Sequence, residues 1–173
     1  MSKFLSEVSS FRCIHCHVHV LIVPSQSRHR NHCPYCLWSR HLDLYQAGDR
    51  LSACRAGMQP VGLTRKLTWK KYSSSTGELM VIHQCTDCAA ISINRLAEDD
   101  DEEKLLEIFE NSLSLDHHQR MKIEAGGVVM LEGGDQSMVS RQLLGDMYRS
   151  TSMSSFRCEP LREETISELI NPA

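Results

Sequence analysis

Residues 11–36 read FRCIHCHVHVLIVPSQSRHRNHCPYC, a β-branched stretch with a Cys-x-x-Cys pair near its start and another at its end. Three such pairs recur in the chain: Cys13/Cys16, Cys33/Cys36 and Cys85/Cys88. This spacing places two sulfurs on one side of a tight turn, about 3.5–4 Å apart, as neighbouring vertices of a zinc tetrahedron. Disulfides within the pairs are the alternative, but they would require three strained rings. The pairs therefore predict metal binding by thiolates.

Tetrahedral zinc takes four ligands, so these cysteines are expected to be divided between two sites. The first two pairs have the Cys-x2-Cys-x16-Cys-x2-Cys spacing of a zinc ribbon, and the third pair then needs Cys54 and either His83 or His41. An alternative partition joins the first pair to the third and leaves the second pair with His41 and Cys54. Both partitions predict two structural zinc ions. The candidate ligands are Cys13, Cys16, Cys33, Cys36, Cys54, Cys85, Cys88, His41 and His83.

The chain has 173 residues and a formal net charge of −3, but its two parts differ in charge. Residues 1–95 carry 12 Lys/Arg against 5 Asp/Glu, and residues 96–173 carry 7 against 17. The longest apolar run, residues 18–23, is too short to span a bilayer. The N-terminal sequence lacks the apolar segment of a secretory signal. We therefore expect a cytoplasmic protein that makes no membrane contact and keeps its cysteines reduced.

Alternating and β-branched segments around the Cys pairs predict a small β-rich domain like a zinc ribbon. Its antiparallel hairpins would carry the three Cys-x-x-Cys turns, or knuckles. One hairpin is predicted from strands at 63–72 and 79–83. The chain is expected to divide into a lead-in at 1–8, the zinc-binding domain at 9–97, and an acidic extension at 98–173 with a helix at 100–114 and a partly disordered remainder. Acidic residues at the start of that helix and an apolar stripe beyond them support the helix prediction.

The basic part of the chain interleaves cationic and aromatic side chains, a pattern expected of an RNA-binding surface. The candidate contacts are Arg28, Arg30, Arg40, Arg65, Lys66, Lys70, Lys71 and Trp69. Seven thiolates with two Zn²⁺ add −3, so residues 1–95 would be nearer +4 than +7 when loaded with zinc. The predicted function is a structural-zinc module that contacts RNA or a ribosomal particle.

A zinc-dependent protein-interaction adaptor is the main alternative, with a modestly basic surface and the Trp residues in the core. An enzyme is less favoured, because catalytic zinc keeps an open position whereas the predicted thiolates fill both sites. A nuclease around Asn31, His32 and His41 would be one such enzyme. A thiol oxidoreductase using one Cys pair would be another, although the surrounding βαβ pattern is missing. The sequence identifies no catalytic residue and no small-molecule substrate.

Residues 30–43, RNHCPYCLWSRHLD, closely resemble the motif after which the bacterial RNHCP-domain family is named. The similarity covers about residues 11–101. It continues through GDR at 48–50, Cys54, GMQP at 57–60, His83, the third Cys pair and NR at 94–95, with an Asp-Asp pair just beyond.

This resemblance implies a small intracellular metal-binding domain and no particular activity. The signature positions that it implies are the seven cysteines above with His32, His41 and His83. The family often places glycine after the second Cys of a pair, where a left-handed backbone costs little. His17 and Ala89 stand at two of those places here.

Overall fold

The computed structural model describes residues 9–22, 30–67 and 77–145, which form two antiparallel β-sheets and three α-helices. The first sheet is a hairpin of β1 (Ser9–Arg12) and β2 (His19–Ile22), and the first Cys pair lies in its turn. The second sheet has four strands in the order β3-β4-β5-β6. Their bounds are Ser39–Arg40, Gly57–Lys66, Glu78–Cys85 and Ile91–Arg95. The prediction of a small β-rich fold with antiparallel hairpins is confirmed for this part of the chain.

The predicted hairpin at 63–83 is the pair β4 and β5, whose register runs from Met58 opposite Cys85 to Lys66 opposite Glu78. β4 begins six residues earlier than the sequence predicted, because its first residues pair with the end of β5 at the third Cys pair. The register of this pair shifts at a bulge between Pro60 and Gly62. Proline is common at bulges because it has no N–H to donate to the neighbouring strand. Residues 68–72 of the predicted strand lie outside the described ranges.

The helices follow the sheet in the chain. α1 (Glu102–Leu113) begins at Asp101, whose side chain accepts a hydrogen bond from the Lys104 amide at 2.9 Å. α2 (His117–Ala125) begins in the same way at Asp116, and α3 (Gln136–Leu144) follows a 3₁₀ turn at Gly133–Asp135. Aspartate is a favoured residue at helix N-termini because its side chain satisfies a free backbone N–H. No helix in the described part of the chain has the length and apolar character that a bilayer crossing requires.

The main hydrophobic core lies between the four-stranded sheet and α1. Its buried side chains are Leu37, Leu63, Leu79, Val81, Leu105, Ile108, Phe109, Leu131 and Val139. Contact is close at Gly62, where a Cβ atom would lie 2.5 Å from Cε of Met130 and 3.2 Å from Cβ of Ser112. The core therefore continues past residue 97, where the composition suggested that the domain ends.

The acidic segment after residue 97 thus contributes to the fold instead of extending from it. α1 occupies the segment in which the sequence predicted a helix at 100–114. Residues 115–145, expected to be partly disordered, form α2 and α3 because Ile123, Met130 and Val139 are buried against the sheet or α1. The rest of the predicted extension, from residue 146, lies outside the described ranges.

Candidate metal centres and the buried polar network

The three Cys pairs share one backbone geometry. In each, the N–H of the first Cys donates at 2.9 Å to the carbonyl five residues later: Cys13 to Val18, Cys33 to Trp38, and Cys85 to Ala90. The residue after the second Cys has a left-handed backbone in all three cases: His17 at φ 61°, Leu37 at φ 60°, and Ala89 at φ 58°. Such residues cost about 1–2 kcal/mol each when they are not glycine. The knuckles therefore form at that cost, without the glycine that the family often uses.

The first tetrad joins the β1–β2 turn to the segment before β3. Its ligand atoms are the sulfurs of Cys13, Cys16, Cys33 and Cys36, all within 4.8 Å of one another. The separations are 3.5 Å from Cys13 to Cys36 and 3.6 Å from Cys16 to Cys33. These distances are too long for disulfides and match the edge of a zinc–sulfur tetrahedron, about 3.5–4 Å. Three of the four cysteines are buried.

The second tetrad lies at one end of the four-stranded sheet. Its members are His41 after β3, Cys54 before β4, Cys85 at the end of β5, and Cys88 in the turn to β6. Sγ of Cys54 lies 3.6 Å from Sγ of Cys85, and Sγ of Cys88 lies 3.3 Å from Nδ1 of His41. This tetrad is more open than the first, because Cys88 is exposed and Cys54 is partly exposed. The spacing allowed two ways of dividing the ligands between the sites. The structure shows the division expected of a zinc ribbon, in which the first two Cys pairs form one tetrad.

The structure places His83, the other candidate for the eighth ligand, outside both tetrads. The buried His83 ring donates from Nε2 to the carbonyl of Leu37 at 2.6 Å, and its Nδ1 accepts from the side-chain amide of Asn94 at 2.9 Å. Burial lowers the pKa of His83 to about 4, so the ring is neutral. Its side chain joins β5 to the second knuckle and to β6, and His41 takes the ligand position instead.

The pKa values of the site thiols are shifted in opposite directions. Burial opposes ionisation of Cys85, but the backbone N–H groups of Cys88 and Asp87 and the neighbouring thiols outweigh it and lower the pKa of Cys85 to about 7. Burial and the nearby Cys13 and Cys16 thiols raise the pKa of Cys36.

Thiolates so close together need a cation to offset their repulsion. Two sets of soft sulfur and imidazole donors at tetrahedral separations fit two structural zinc ions.

Asp100 is a buried carboxylate that binds two residues of the Arg-Asn-His-Cys motif. Its Oδ1 accepts from the Arg30 guanidinium at 3.2 Å, and its Oδ2 lies 2.8 Å from Nε2 of His32. The same Oδ2 accepts from the backbone N–H of Ala97 at 2.8 Å, and Arg30 also forms an ion pair with Asp99. The pattern of cationic and aromatic residues predicted Arg30 as an RNA contact. The structure removes it from that set, because its side chain is buried and its charge is paired within the fold.

The network continues from His32 towards the sheet. Nδ1 of His32 faces Oδ1 of Asn31 at 3.1 Å, the Asn31 amide donates to Asn94, and Asn94 in turn donates to His83. Within the described ranges, every buried side-chain nitrogen and oxygen has a hydrogen-bond partner. Sequence reasoning missed this network, since Asp100 is one of six consecutive acidic residues at 98–103. The available signal was the Asp-Asp pair that follows Asn94 and Arg95 in the family motif.

The remaining predicted RNA contacts fall into two groups. Arg40, Arg65 and Lys66 are exposed on the strands of the second sheet. Four others lie outside the described ranges: Arg28, Trp69, Lys70 and Lys71.

A structured loop at 42–53 lies between two ligands of the second tetrad, His41 and Cys54. The carboxylate of Asp49 accepts from the amides of Leu44, Tyr45, Gln46 and Leu51, and that of Asp43 accepts from Gly48 and Arg50. These backbone bonds hold the pKa of Asp49 well below its usual range. The loop exposes 51% of Leu44, 84% of Tyr45 and 63% of Leu51. Two carboxylates thus order a loop whose apolar side chains face solvent.

The fold and the two tetrads define a class: a small antiparallel β protein stabilised by two Cys/His metal centres. A comparison with protein families matches residues 8–106 to the RNHCP domain, and the chain belongs to the RNHCP-domain family. The matched residues include both tetrads and Asp100, so the polar network lies within the family domain. Comparisons with curated proteins and with solved structures found no match.

Proposed function

We propose that this metal-binding domain is a non-catalytic module that binds RNA or a ribonucleoprotein through its basic surface. The proposal that zinc has a structural and not a catalytic role rests on one observation: each tetrad already has four protein ligands. A four-coordinate zinc ion with four protein ligands has no open position for substrate or water. The zinc ions would then stabilise the fold, and the basic surface would bind the RNA or ribonucleoprotein. Seven cysteines held as zinc ligands fit a reducing compartment, and we propose the cytoplasm.

The support for RNA comes from arginines at the β3 edge of the sheet. Arg40 lies on β3, and Arg50 and Arg55 are exposed in the segment that leads to β4. The Arg55 guanidinium donates to the Arg50 carbonyl at 3.2 Å, which keeps the two residues together. The exposed ring of Tyr45 lies in the same segment. Guanidinium groups can contact phosphates, and an exposed aromatic ring in the same segment can stack on an unpaired base.

The test is binding of a fluorescently labelled single-stranded RNA to the zinc-loaded chain, measured by anisotropy over a range of salt concentrations. We expect binding that weakens with salt, and weaker binding by the double variant Arg40→Ala/Arg50→Ala. Loss of two phosphate contacts should reduce the slope of log K against log salt by about 1.4. Arg95→Ala is the matched control, because Arg95 lies on the opposite edge strand, β6, and pairs with Glu78. Absence of salt-dependent binding by the native chain would reject the RNA proposal.

A protein-interaction adaptor is the second candidate, and the loop at 42–53 favours it. An ordered loop that exposes Tyr45 and Arg50 presents two of the residue types that are enriched at the hot spots of protein interfaces. Its backbone is already held by Asp43 and Asp49, so little conformational entropy would be lost on binding. In this case Tyr45→Ala would abolish binding of a protein partner, whereas the arginine variants would have smaller effects.

A further inference from the structure

The two metal centres differ in how far their cysteine residues are exposed to solvent. In the first tetrad Cys13, Cys33 and Cys36 are buried in a cluster with Val20, and Cys16 is partly exposed. In the second tetrad Cys88 is exposed, and Cys54 is partly exposed. A solvent-borne reagent therefore reaches the second centre without unfolding the protein. Zinc ligation keeps both sets of cysteines as thiolates, so accessibility is the property that separates them.

We propose that Cys88 is an oxidation site, and that hydroperoxides convert Cys88 and Cys54 into a disulfide that releases the zinc ion of the second centre. The proposal rests on the two zinc centres and is independent of the RNA proposal. Of the two possible partners for Cys88, Cys54 is the accessible one, whereas Cys85 is buried. The sulfur atoms of the tetrad lie within 4.8 Å of one another, so a small movement brings Cys54 and Cys88 to bonding distance.

The chemistry has two steps. The Cys88 thiolate attacks one oxygen of the hydroperoxide; an S–O bond forms, the O–O bond breaks, and the other oxygen leaves as an alcohol or water after taking a proton. Cys88 is thereby oxidised by two electrons to the sulfenic acid, and the peroxide is reduced. The Cys54 thiolate then attacks the Cys88 sulfur; an S–S bond forms, and hydroxide leaves as water after protonation. With two of its four ligands lost, the second centre no longer holds zinc.

The consequence falls on the loop at 42–53, because His41 and Cys54, the ligands that flank it, join its two ends through the zinc ion in addition to the backbone bonds there. Loss of zinc frees His41, and the disulfide draws Cys54 towards the turn between β5 and β6. The first centre and the core between the sheet and α1 lie apart from these ligands. Oxidation would therefore remove the zinc link between the two ends of this loop, while the backbone bonds to Asp43 and Asp49 and the rest of the domain remain.

The experiment treats the zinc-loaded full-length chain with hydrogen peroxide in a Cys158→Ser background, which removes the cysteine outside the described ranges. Released zinc is followed with a chromogenic chelator, and cysteines are mapped by differential alkylation and peptide mass. We expect release of one of the two zinc equivalents, a peptide linked through Cys54 and Cys88, and recovery with a dithiol and zinc. The three buried cysteines of the first tetrad, Cys13, Cys33 and Cys36, should be alkylated only after denaturation.

Cys88→His is the matched variant, since it keeps four ligands that zinc accepts but removes the exposed sulfur. It should retain two zinc equivalents and release zinc more slowly in peroxide than the native tetrad. If this variant fails to bind two zinc ions, the peptide map of the Cys158→Ser protein decides alone. Equal release from both centres, a disulfide within the first tetrad, or unmodified Cys54 and Cys88 after zinc release would overturn the proposal.

Discussion

Asp100 brings a negative charge into the interior, and its partners explain why that charge is tolerated. An ionised carboxylate is costly to bury unless it is paired and hydrogen-bonded. Asp100 meets this condition through Arg30, His32 and the backbone N–H of Ala97. The next residue, Asp101, donates its N–H to the carbonyl of Pro34 at 2.9 Å. Together these bonds fasten the second Cys pair to the start of α1.

We predict that Asp100→Asn lowers the free energy of unfolding of the zinc-loaded protein by about 1–3 kcal/mol, because Arg30 and His32 lose a buried charged partner while Arg30 keeps its ion pair with Asp99. Glu98→Gln is the control, since this nearby acidic side chain is exposed. Urea denaturation followed by circular dichroism measures both variants. Equal midpoints for the two would show that the buried ion pair does not stabilise the fold.

At the scale of elements, α1 joins the acidic segment to the sheet. Leu105, Ile108 and Phe109 recur at the spacing of one helix face and are buried against Leu63 and Val81. The first turn contains Glu102 and Glu103, whose charges interact favourably with the helix dipole. One helix therefore combines an acidic first turn with the apolar face that its sequence predicted.

We predict that Phe109→Ala lowers the free energy of unfolding by about 3–5 kcal/mol, because it leaves a cavity between α1 and the sheet. Leu113→Ala on the same helix is the matched control: 37% of Leu113 is exposed, against 1% of Phe109. Thermal and urea denaturation of the zinc-loaded variants provide the comparison. A Phe109→Ala protein as stable as Leu113→Ala would mean that α1 is not part of the cooperative core.

At the scale of the whole molecule, the first metal centre connects the two sheets. Cys13 and Cys16 belong to the β1–β2 turn, whereas Cys33 and Cys36 precede the edge strand of the second sheet. A small apolar cluster containing Val20 and Trp38 accompanies the four sulfurs. The second centre ties together three segments at one end of the four-stranded sheet. With so little apolar contact at the first centre, metal ligation should contribute directly to folding.

We predict that the chain binds two zinc ions and that their removal by a chelator unfolds the region around the first centre. Cys33→Ser should have the same effect there, because it removes a buried ligand, whereas Cys158→Ser should keep both zinc ions. Zinc is measured by elemental analysis, and folding by the dispersion of amide signals in NMR spectra. A chelated protein that keeps its native dispersion would contradict a structural role for the metal.

Local patterns in the sequence were enough to predict the knuckles and the β4–β5 hairpin. A Cys-x-x-Cys pair places both sulfurs through one turn, and its geometry needs no distant residue. The left-handed backbone at His17 and Ala89 departs from the glycine that the family often has, yet the same turn forms. Two zinc ions followed from the number of sulfurs and the need for four ligands at each site. These features depend on residues that are close together in the chain.

Other features depended on which distant segments meet. Spacing admitted both His41 and His83 as the eighth ligand; the register of β5 directs His83 towards Leu37 and Asn94, and the end of β3 carries His41 to the sulfurs. Arg30 fitted the charge pattern of an RNA-binding surface. Its partner in the folded protein is the buried carboxylate of Asp100, which lies 70 residues further along the chain. The domain boundary predicted at residue 97 coincides with a change in charge along the sequence. The hydrophobic core extends beyond it, because Phe109 of α1 is buried there. Composition and spacing report local chemistry, but burial and pairing arise only when the chain is packed.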